Sequence, residues 1–314
     1  MSARRVVTID CDYMMPRFAA SYLLVDGGEA AFIDNNTAHA VPKLLAALKA
    51  EGLKPEDVRY VIITHVHLDH AGGTSALMAA CPRAQLLCHP RAAPHVIDPT
   101  RLVGSARKVY GDQQFEKLYG VIVPVAAERV KIQEEGAVVP FGGAPLQFWH
   151  TRGHANHHMC IFDGALGAVF AGDAFGLRYP ALQEHGLFIF PSTSPTDFHA
   201  EEARRSIERI AGGEASVAYL THYGVLQGDE IQDAADQLTA WIDFSDDLRG
   251  GVEQGHETLE MATERCLAAL SKEVERVAAE RGLVFTSRHW DVMKLDLELN
   301  AQGLAWVGVK ARVK

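Results

Sequence analysis

From about residue 21 to residue 230 the chain alternates short apolar runs with helical repeats; beyond that its pattern is largely helical. Residues 21–26 (SYLLVD) and 30–34 (AAFID) flank Gly27-Gly28, which predicts a β-hairpin. Val41–Ala50 carries Leu44, Leu45 and Leu48 at helical spacing, with Pro42 early and Gly52 just past the end, so it reads as a helix. Residues 58–64 are β-rich and run directly into His65. Further along, Thr74–Ala80 predicts a helix, Leu146–His150 a strand, and residues 159–163 with 166–173 a second hairpin around Gly164. Both hairpins end on aspartate, Asp34 and Asp173, a likeness that a duplicated half and shared turn chemistry explain equally well.

Residues 216–221 form one more strand, after which the character changes. Residues 229–248 and 257–281 are helical, with Arg249-Gly250-Gly251 reading as the break between them. In the second helix Leu259, Ala262, Cys266, Leu270, Val274 and Val277 make one apolar stripe, suited to a core or to a second subunit in a homodimer. Residues 290–299 and 304–309 around Asn300-Ala301-Gln302-Gly303 predict a terminal hairpin. The expected organisation is an α/β layered domain over residues 1–228 with a C-terminal helical extension over 229–314 packed on it.

Composition, 48% hydrophobic and 22% charged, is that of an ordinary globular chain. Its 30 Lys+Arg against 40 Asp+Glu give a net charge of −10, a field that repels phosphate backbones, so the expected partner is a small molecule and not nucleic acid. Five scattered cysteines without a C-x-x-C pair fit thiols in a reducing, cytoplasmic compartment. Asp10 and Asp12 stand where a secretory signal needs an apolar core, and no stretch approaches the roughly 18 apolar residues of a membrane span.

The chemistry is concentrated in Thr64-His65-Val66-His67-Leu68-Asp69-His70, where three imidazoles and a carboxylate crowd a loop just after a strand. A divalent metal takes neutral imidazole nitrogen and carboxylate oxygen, and a loop on a rigid strand can aim successive side chains at one point. Later strand ends supply further ligand types: His154 in Thr151-Arg152-Gly153-His154, Asp173 in Ala171-Gly172-Asp173, and His222 in Leu220-Thr221-His222-Tyr223-Gly224.

An H-x-H-x-D-H loop followed in order by these three motifs resembles the metallo-β-lactamase superfamily over about residues 20 to 225. The resemblance implies an αββα sandwich with a two-metal site at one edge. It implies that His65, His67 and His154 hold one divalent ion, that Asp69, His70 and His222 hold the other, and that Asp173 bridges them. Asp173, where β-lactamases with this loop commonly have Cys, places the chain nearer the glyoxalase II-like hydrolases. Arg152 departs from the Pro usual in the third motif, and the continuation Ala155-Asn156-His157-His158 resembles a poorly characterised subgroup.

The implied reaction is hydrolysis of a small ester, thioester or lactone by a hydroxide bridging two ions, zinc first, with iron or manganese as alternatives. Asp69 would orient the nucleophile, and His158, Tyr223 and Tyr179 are candidates for contact with the oxyanion or leaving group. Met14, Met15, Phe18, Phe175 and Leu177 are candidate pocket walls, and Arg17 and Arg178 candidate carboxylate grips. The competing readings are an iron-dependent redox enzyme on the same scaffold, such as a persulfide dioxygenase or a diiron oxygen-reactive protein, and a metal-dependent sensor without turnover. Flavodiiron proteins usually carry Glu at the position of His67, which counts against that branch.

Overall fold

The computed structural model describes residues 3–193 and 197–312; residues 1–2, 194–196 and 313–314, which include both ends of the expected domain spans, lie outside the described residues. One mixed sheet is ordered β1 (Arg5–Asp10), β2 (Ala20–Asp26), β3 (Glu29–Ile33), β4 (Val58–Ile62), β5 (Gln85–Cys88) and β6 (Val130–Ile132). Between its strands the chain forms α1 (Val41–Ala50), α2 (Leu68–Ala71), α3 (Thr74–Ala80), α4 (Ala93–Ile97), α5 (Thr100–Tyr110) and α6 (Asp112–Tyr119). The second sheet comprises β7 (Val138–Val139), β8 (Leu146–His150), β9 (Met159–Asp163), β10 (Ala168–Gly172), β11 (Val217–Leu220) and β12 (Gly224–Gln227), in spatial order β12-β11-β10-β9-β8-β7. The remaining helices are α7 (Ala200–Ala211), α8 (Asp229–Gln254), α9 (Leu259–Glu280) and α10 (Ser287–Ala311).

Strand periodicity explains the layering. Tyr22, Leu24, Ile33, Tyr60 and Ile62 face Phe148, Met159, Ile161 and Phe170 of the second sheet in one buried cluster. The alternate residues Leu23, Val25, Phe32 and Val61 face the other way, onto Leu44 and Leu48 of α1 and Leu77 and Met78 of α3. Burying each such side chain contributes roughly 1.5–3 kcal/mol, so both faces of the first sheet are specified.

Both expected hairpins are present: β2 pairs antiparallel with β3, and β9 with β10. The likeness extends one strand further, because β3 then pairs parallel with β4, and β10 with β11. Backbone ties cross between them: Met159 N donates to Thr64 O at 2.9 Å, and Ala20 N to Thr221 O at 2.8 Å.

Two compact units result. The first comprises Met1–His150, His157–Gly172 and Glu214–Val225; the second comprises Thr151–Asn156, Asp173–Gly213 and Leu226–Lys314. The second therefore takes up two segments upstream of the boundary expected at residue 228.

Two expectations at the C-terminal end are corrected. Arg249-Gly250-Gly251 is not a break, since α8 continues to Gln254 with Val252 fully buried. The terminal hairpin is instead one helix, α10. Its alternating Leu295, Leu297 and Leu299 mimic a strand, but the buried set Val292, Met293, Leu297, Ala301, Leu304 and Ala305 has helical spacing. Packing overrides the local signal: α8 and α9 both lie against α10, and the Cα of Gly308 sits so close to α8 that a Cβ there would meet Val252 Cβ at 2.7 Å. In α9 the stripe is Ala262, Cys266, Leu270, Val274 and Ala278, while Leu259 is exposed.

Candidate metal centre

In the first unit the loop after β4 is locked by a carboxylate at the end of β3. Asp34, 1% exposed, accepts from Thr64 N at 2.8 Å, from Thr64 Oγ1 at 3.0 Å and from Thr221 Oγ1 at 3.0 Å. His70 Nδ1 donates to the same carboxylate at 2.7 Å. The next turn, α2, starts after His67 and brings the rings together: His65 lies edge-on to His67 at 4.5 Å and tilted against His70 at 4.0 Å, centroid to centroid. Asp69, His70 and His222 bring one ligand atom each within 4.8 Å of one another.

Hydrogen-bond chemistry decides what these atoms can do. His222 Nδ1 points at Phe18 O, 3.2 Å away, and His70 Nδ1 at Asp34; both partners only accept, so each Nδ1 carries the proton and each Nε2 is a bare acceptor in the neutral ring. Those Nε2 atoms nevertheless confront Asp69 Oδ2 at 3.1 Å for His222 and 3.8 Å for His70. Such a contact is satisfied by a proton on Nε2, as a hydrogen bond to the carboxylate at 3.1 Å, or by a metal cation bound to both atoms. Two ligands bonded at about 2.0–2.1 Å in a tetrahedron are roughly 3.3–3.4 Å apart, so the spacing fits a divalent ion.

The second unit repeats the arrangement. His154 Nδ1 donates to Ser192 O at 3.1 Å, and its Nε2 faces Asp173 Oδ2 at 3.6 Å. The loop before it is pressed onto α7: Gly153 has φ 128°, and a Cβ there would lie 2.3 Å from Ala203 N. His199 N donates to Gly153 O at 2.9 Å, and Ser206 Oγ to Arg152 O at 2.6 Å. Arg152 itself points outward to Glu202, so the departure from Pro costs the loop nothing visible. Gly172, with φ 51°, lets Asp173 follow β10 directly; a Cβ would strike His158 Nε2 at 2.6 Å and Thr64 Oγ1 at 2.8 Å.

Other candidates fare unevenly. His158 is fully buried, its ring 5.1 Å from that of His65. Its half-buried neighbour His157 stacks on His65 at 6.1 Å, and lies edge-on to His67 at 5.6 Å and to His95 at 6.2 Å. Tyr179 is buried with its hydroxyl donating to Asp296 Oδ2 at 2.8 Å, so it is withdrawn from chemistry. Phe18, Phe175 and Leu177 are core, with Phe18 edge-on to His222 at 5.7 Å, whereas Met14 is exposed.

Tyr223 is partly buried beneath the Arg17 guanidinium. Burial and Asp10 raise its phenol above the ordinary value against the opposing pull of Arg17, so it is a proton donor at neutral pH. Asp34 had no role assigned from sequence; its position after β3, matching Asp173 after β10, was the available signal. Also missed was Tyr119 of α6, whose hydroxyl meets that of Tyr13 at 3.2 Å and whose phenol is raised by burial, by Tyr13 and Tyr110, and by the charge of Asp69.

Known proteins bear on this arrangement. The chain is 27% identical over 156 residues to the metallo-β-lactamase fold-containing protein ST1585 of Sulfurisphaera tokodaii, covering 48% of this chain and 56% of that protein. It is 37% identical over 91 residues to a hydroxyacylglutathione hydrolase of Anaeromyxobacter dehalogenans, covering 29% of this chain and 33% of the relative. An atrochrysone carboxyl ACP thioesterase of Aspergillus fumigatus is 24% identical over 208 residues, 66% of this chain and 51% of that one. These matches thus span roughly a third to a half of the relatives' own lengths. The solved structure of ST1585 from Sulfolobus tokodaii superposes with a TM-score of 0.65 at 19% identity, covering 96% of this chain and 99% of that one, which establishes the shared fold. The profile of the metallo-β-lactamase superfamily matches residues 14–222, more than half of the sequence, and the chain belongs to that superfamily.

Proposed function

We propose that the chain is a dinuclear metallohydrolase of the glyoxalase II-like kind, cleaving a small ester, thioester or lactone. The observation that carries the reading is the set of Nε2 and carboxylate acceptors facing one another at 3.1, 3.6 and 3.8 Å, with each ring's Nδ1 already committed to an acceptor. His65, His67 and His154 would hold one ion, Asp69, His70 and His222 the other, and Asp173 both. Relatives named as a hydroxyacylglutathione hydrolase and an acyl-carrier-protein thioesterase support a thioester substrate. Two divalent ions, zinc in this reading, supply Lewis acidity toward a carbonyl and lower the pKa of a water to about 7.

The chain's own residues do the rest. Asp69, with a quarter of its side chain exposed, accepts a hydrogen bond from the attacking water and orients it. Tyr223 keeps its proton at neutral pH and would donate a hydrogen bond to the developing oxyanion or to the leaving sulfur or oxygen. The buried, unbridged cysteines fit a cytoplasmic setting, and among the described residues no helix is long and apolar enough to cross a membrane.

Metal analysis of protein purified without added metal, followed by a panel of thioesters, esters, lactones and a persulfide, tests the reading. The expected result is two zinc ions per chain with thioester or ester turnover. Iron accompanied by oxygen consumption on the persulfide would overturn it in favour of redox chemistry. His67→Ala should lose metal and turnover together, and full metal content with retained turnover would refute the ligand assignment.

A further inference from the structure

The C-terminal helix carries more polar groups into the interior than packing asks for. Asp296 and Asn300 lie one turn apart on α10, 9% and 2% exposed, among apolar neighbours, where a polar side chain is costly unless hydrogen-bonded. Both are committed to the segments that follow the proposed metal ligands of the second unit. Asn300 Nδ2 donates to Asp296 O at 2.8 Å, which turns its Oδ1 outward to accept from both the backbone N and the hydroxyl of Thr193. The residue before Thr193 is Ser192, whose carbonyl oxygen receives His154 Nδ1 at 3.1 Å. Asp296 Oδ2 receives the Tyr179 hydroxyl at 2.8 Å, on the stretch leading away from Asp173. The two stretches are tied to each other by Leu177 N to Phe190 O at 2.7 Å and Phe190 N to Leu177 O at 3.0 Å.

We propose that Asn300 is a positioning residue for the metal ligand His154, acting through Thr193 and the Ser192 carbonyl, so that α10 belongs to the metal centre and is not an appendage. The inference rests on the reading of His154 as a ligand. With the Asn300 acceptor in place, the Ser192–Thr193 peptide is fixed, Ser192 O holds the Nδ1 proton, and Nε2 is aimed as a ligand in a single tautomer. Without it the peptide turns, and the ring loses both its orientation and the basicity that its partner confers. Partners of this sort typically contribute about 10- to 100-fold in metal affinity.

The test uses the full chain loaded with cobalt, read by its visible absorption and by competition with a chromophoric chelator. Asn300→Leu should bind one of the two ions about 10- to 100-fold more weakly, with an altered absorption band, and keep the other unchanged. Thr193→Val should shift in the same direction by a smaller factor, and Thr193→Ser, which restores the hydroxyl, should match wild type. His154→Ala is the control: retention of both ions there would refute the ligand reading itself. If His154→Ala loses an ion while Asn300→Leu and Thr193→Val keep wild-type affinity and spectrum, the positioning role is refuted and the ligand reading survives. Should Asn300→Leu fail to fold, the Thr193 pair decides alone: a weakened Val variant beside an intact Ser variant supports the role, and a Val variant at wild-type affinity overturns it.

Discussion

Four donors from two separate stretches of chain converge on Asp34: the Thr64 amide and hydroxyl and His70 Nδ1 from one loop, and the Thr221 hydroxyl from another. One buried carboxylate thereby sets the exit of β4, the exit of β11 and the tautomer of His70, a proposed ligand. Asp34→Ala would leave these donors buried without an acceptor, at about 1–3 kcal/mol for each left unsatisfied. The expected outcome is a fall in the urea midpoint of unfolding, and, in protein that still folds, metal held about 10- to 100-fold more weakly against a chelator. The contrast between Asp34 and the His65–His70 loop shows what could be read beforehand. Ligand-type residues crowded after an apolar strand announce themselves locally, whereas Asp34 meets Thr64 only because Ile33 pairs with Ile62 in a parallel register. Consecutive residues at the entry to a strand face opposite ways, so His157 is half-buried and His158 fully buried, a difference the His157-His158 pair does not announce in sequence.

Among the helices, two glycines of the C-terminal region separate local propensity from packing. Gly250 has nothing within 4 Å of where a Cβ would stand, so Gly250→Ala should stabilise α8 by about 0.5–1 kcal/mol through lower chain entropy. Gly308 of α10 is the opposite case, since its Cβ would lie 2.7 Å from Val252 Cβ and 2.8 Å from Arg249 O, a backbone atom that cannot swing aside. There overpacking of about 1–3 kcal/mol outweighs the propensity gain, and Gly308→Ala should destabilise. Denaturant midpoints for the two variants, moving in opposite directions, check both statements. The hairpin expected over residues 290–309 and the break expected at Arg249-Gly250-Gly251 arose from reading such glycines and alternating leucines as local signals. Within the first 230 residues the two hairpins, α1, β4, α3, β8 and β11 were legible from their apolar runs and turn residues, whereas β1, β5 and α4 to α7 were not read; α10 draws its stability from α8 and α9, which no short window contains.

Within the first unit as a whole, the two sheets are joined by a buried ion cluster away from the metal ligands. Arg4 donates from Nε to Asp163 at 2.7 Å and from Nη1 to Asp26 at 2.8 Å, and the same Nη1 also donates to Phe141 O and Ala144 O. Arg4→Met leaves two carboxylates without their cation and should cost about 3–5 kcal/mol, measured by urea unfolding at pH 7. Burial raises the Asp26 carboxyl, but the Gly143 amide and the Arg4 guanidinium outweigh it and hold it below the ordinary range. Its contribution is therefore present above the unfolded-state value near about 3.9 and is lost as pH falls through the lower folded value. Unfolding followed from pH 6 down to pH 2 should show wild type losing stability more steeply than Arg4→Met, and equal slopes would exclude the Asp26 pairing as the source.

The crossed backbone ties carry a consequence for how such a chain is made. Thr64 O waits for the amide of Met159, and the amide of Ala20 waits for Thr221 O. As the polypeptide leaves the ribosome, the histidine-rich turn is delivered early yet stays unanchored until the second sheet is synthesised. Any ion met in that interval finds only a partial set of donors and is held loosely. In the proposed reading the full donor set exists only once residue 222 has been synthesised, so tight capture would be a late event of biogenesis.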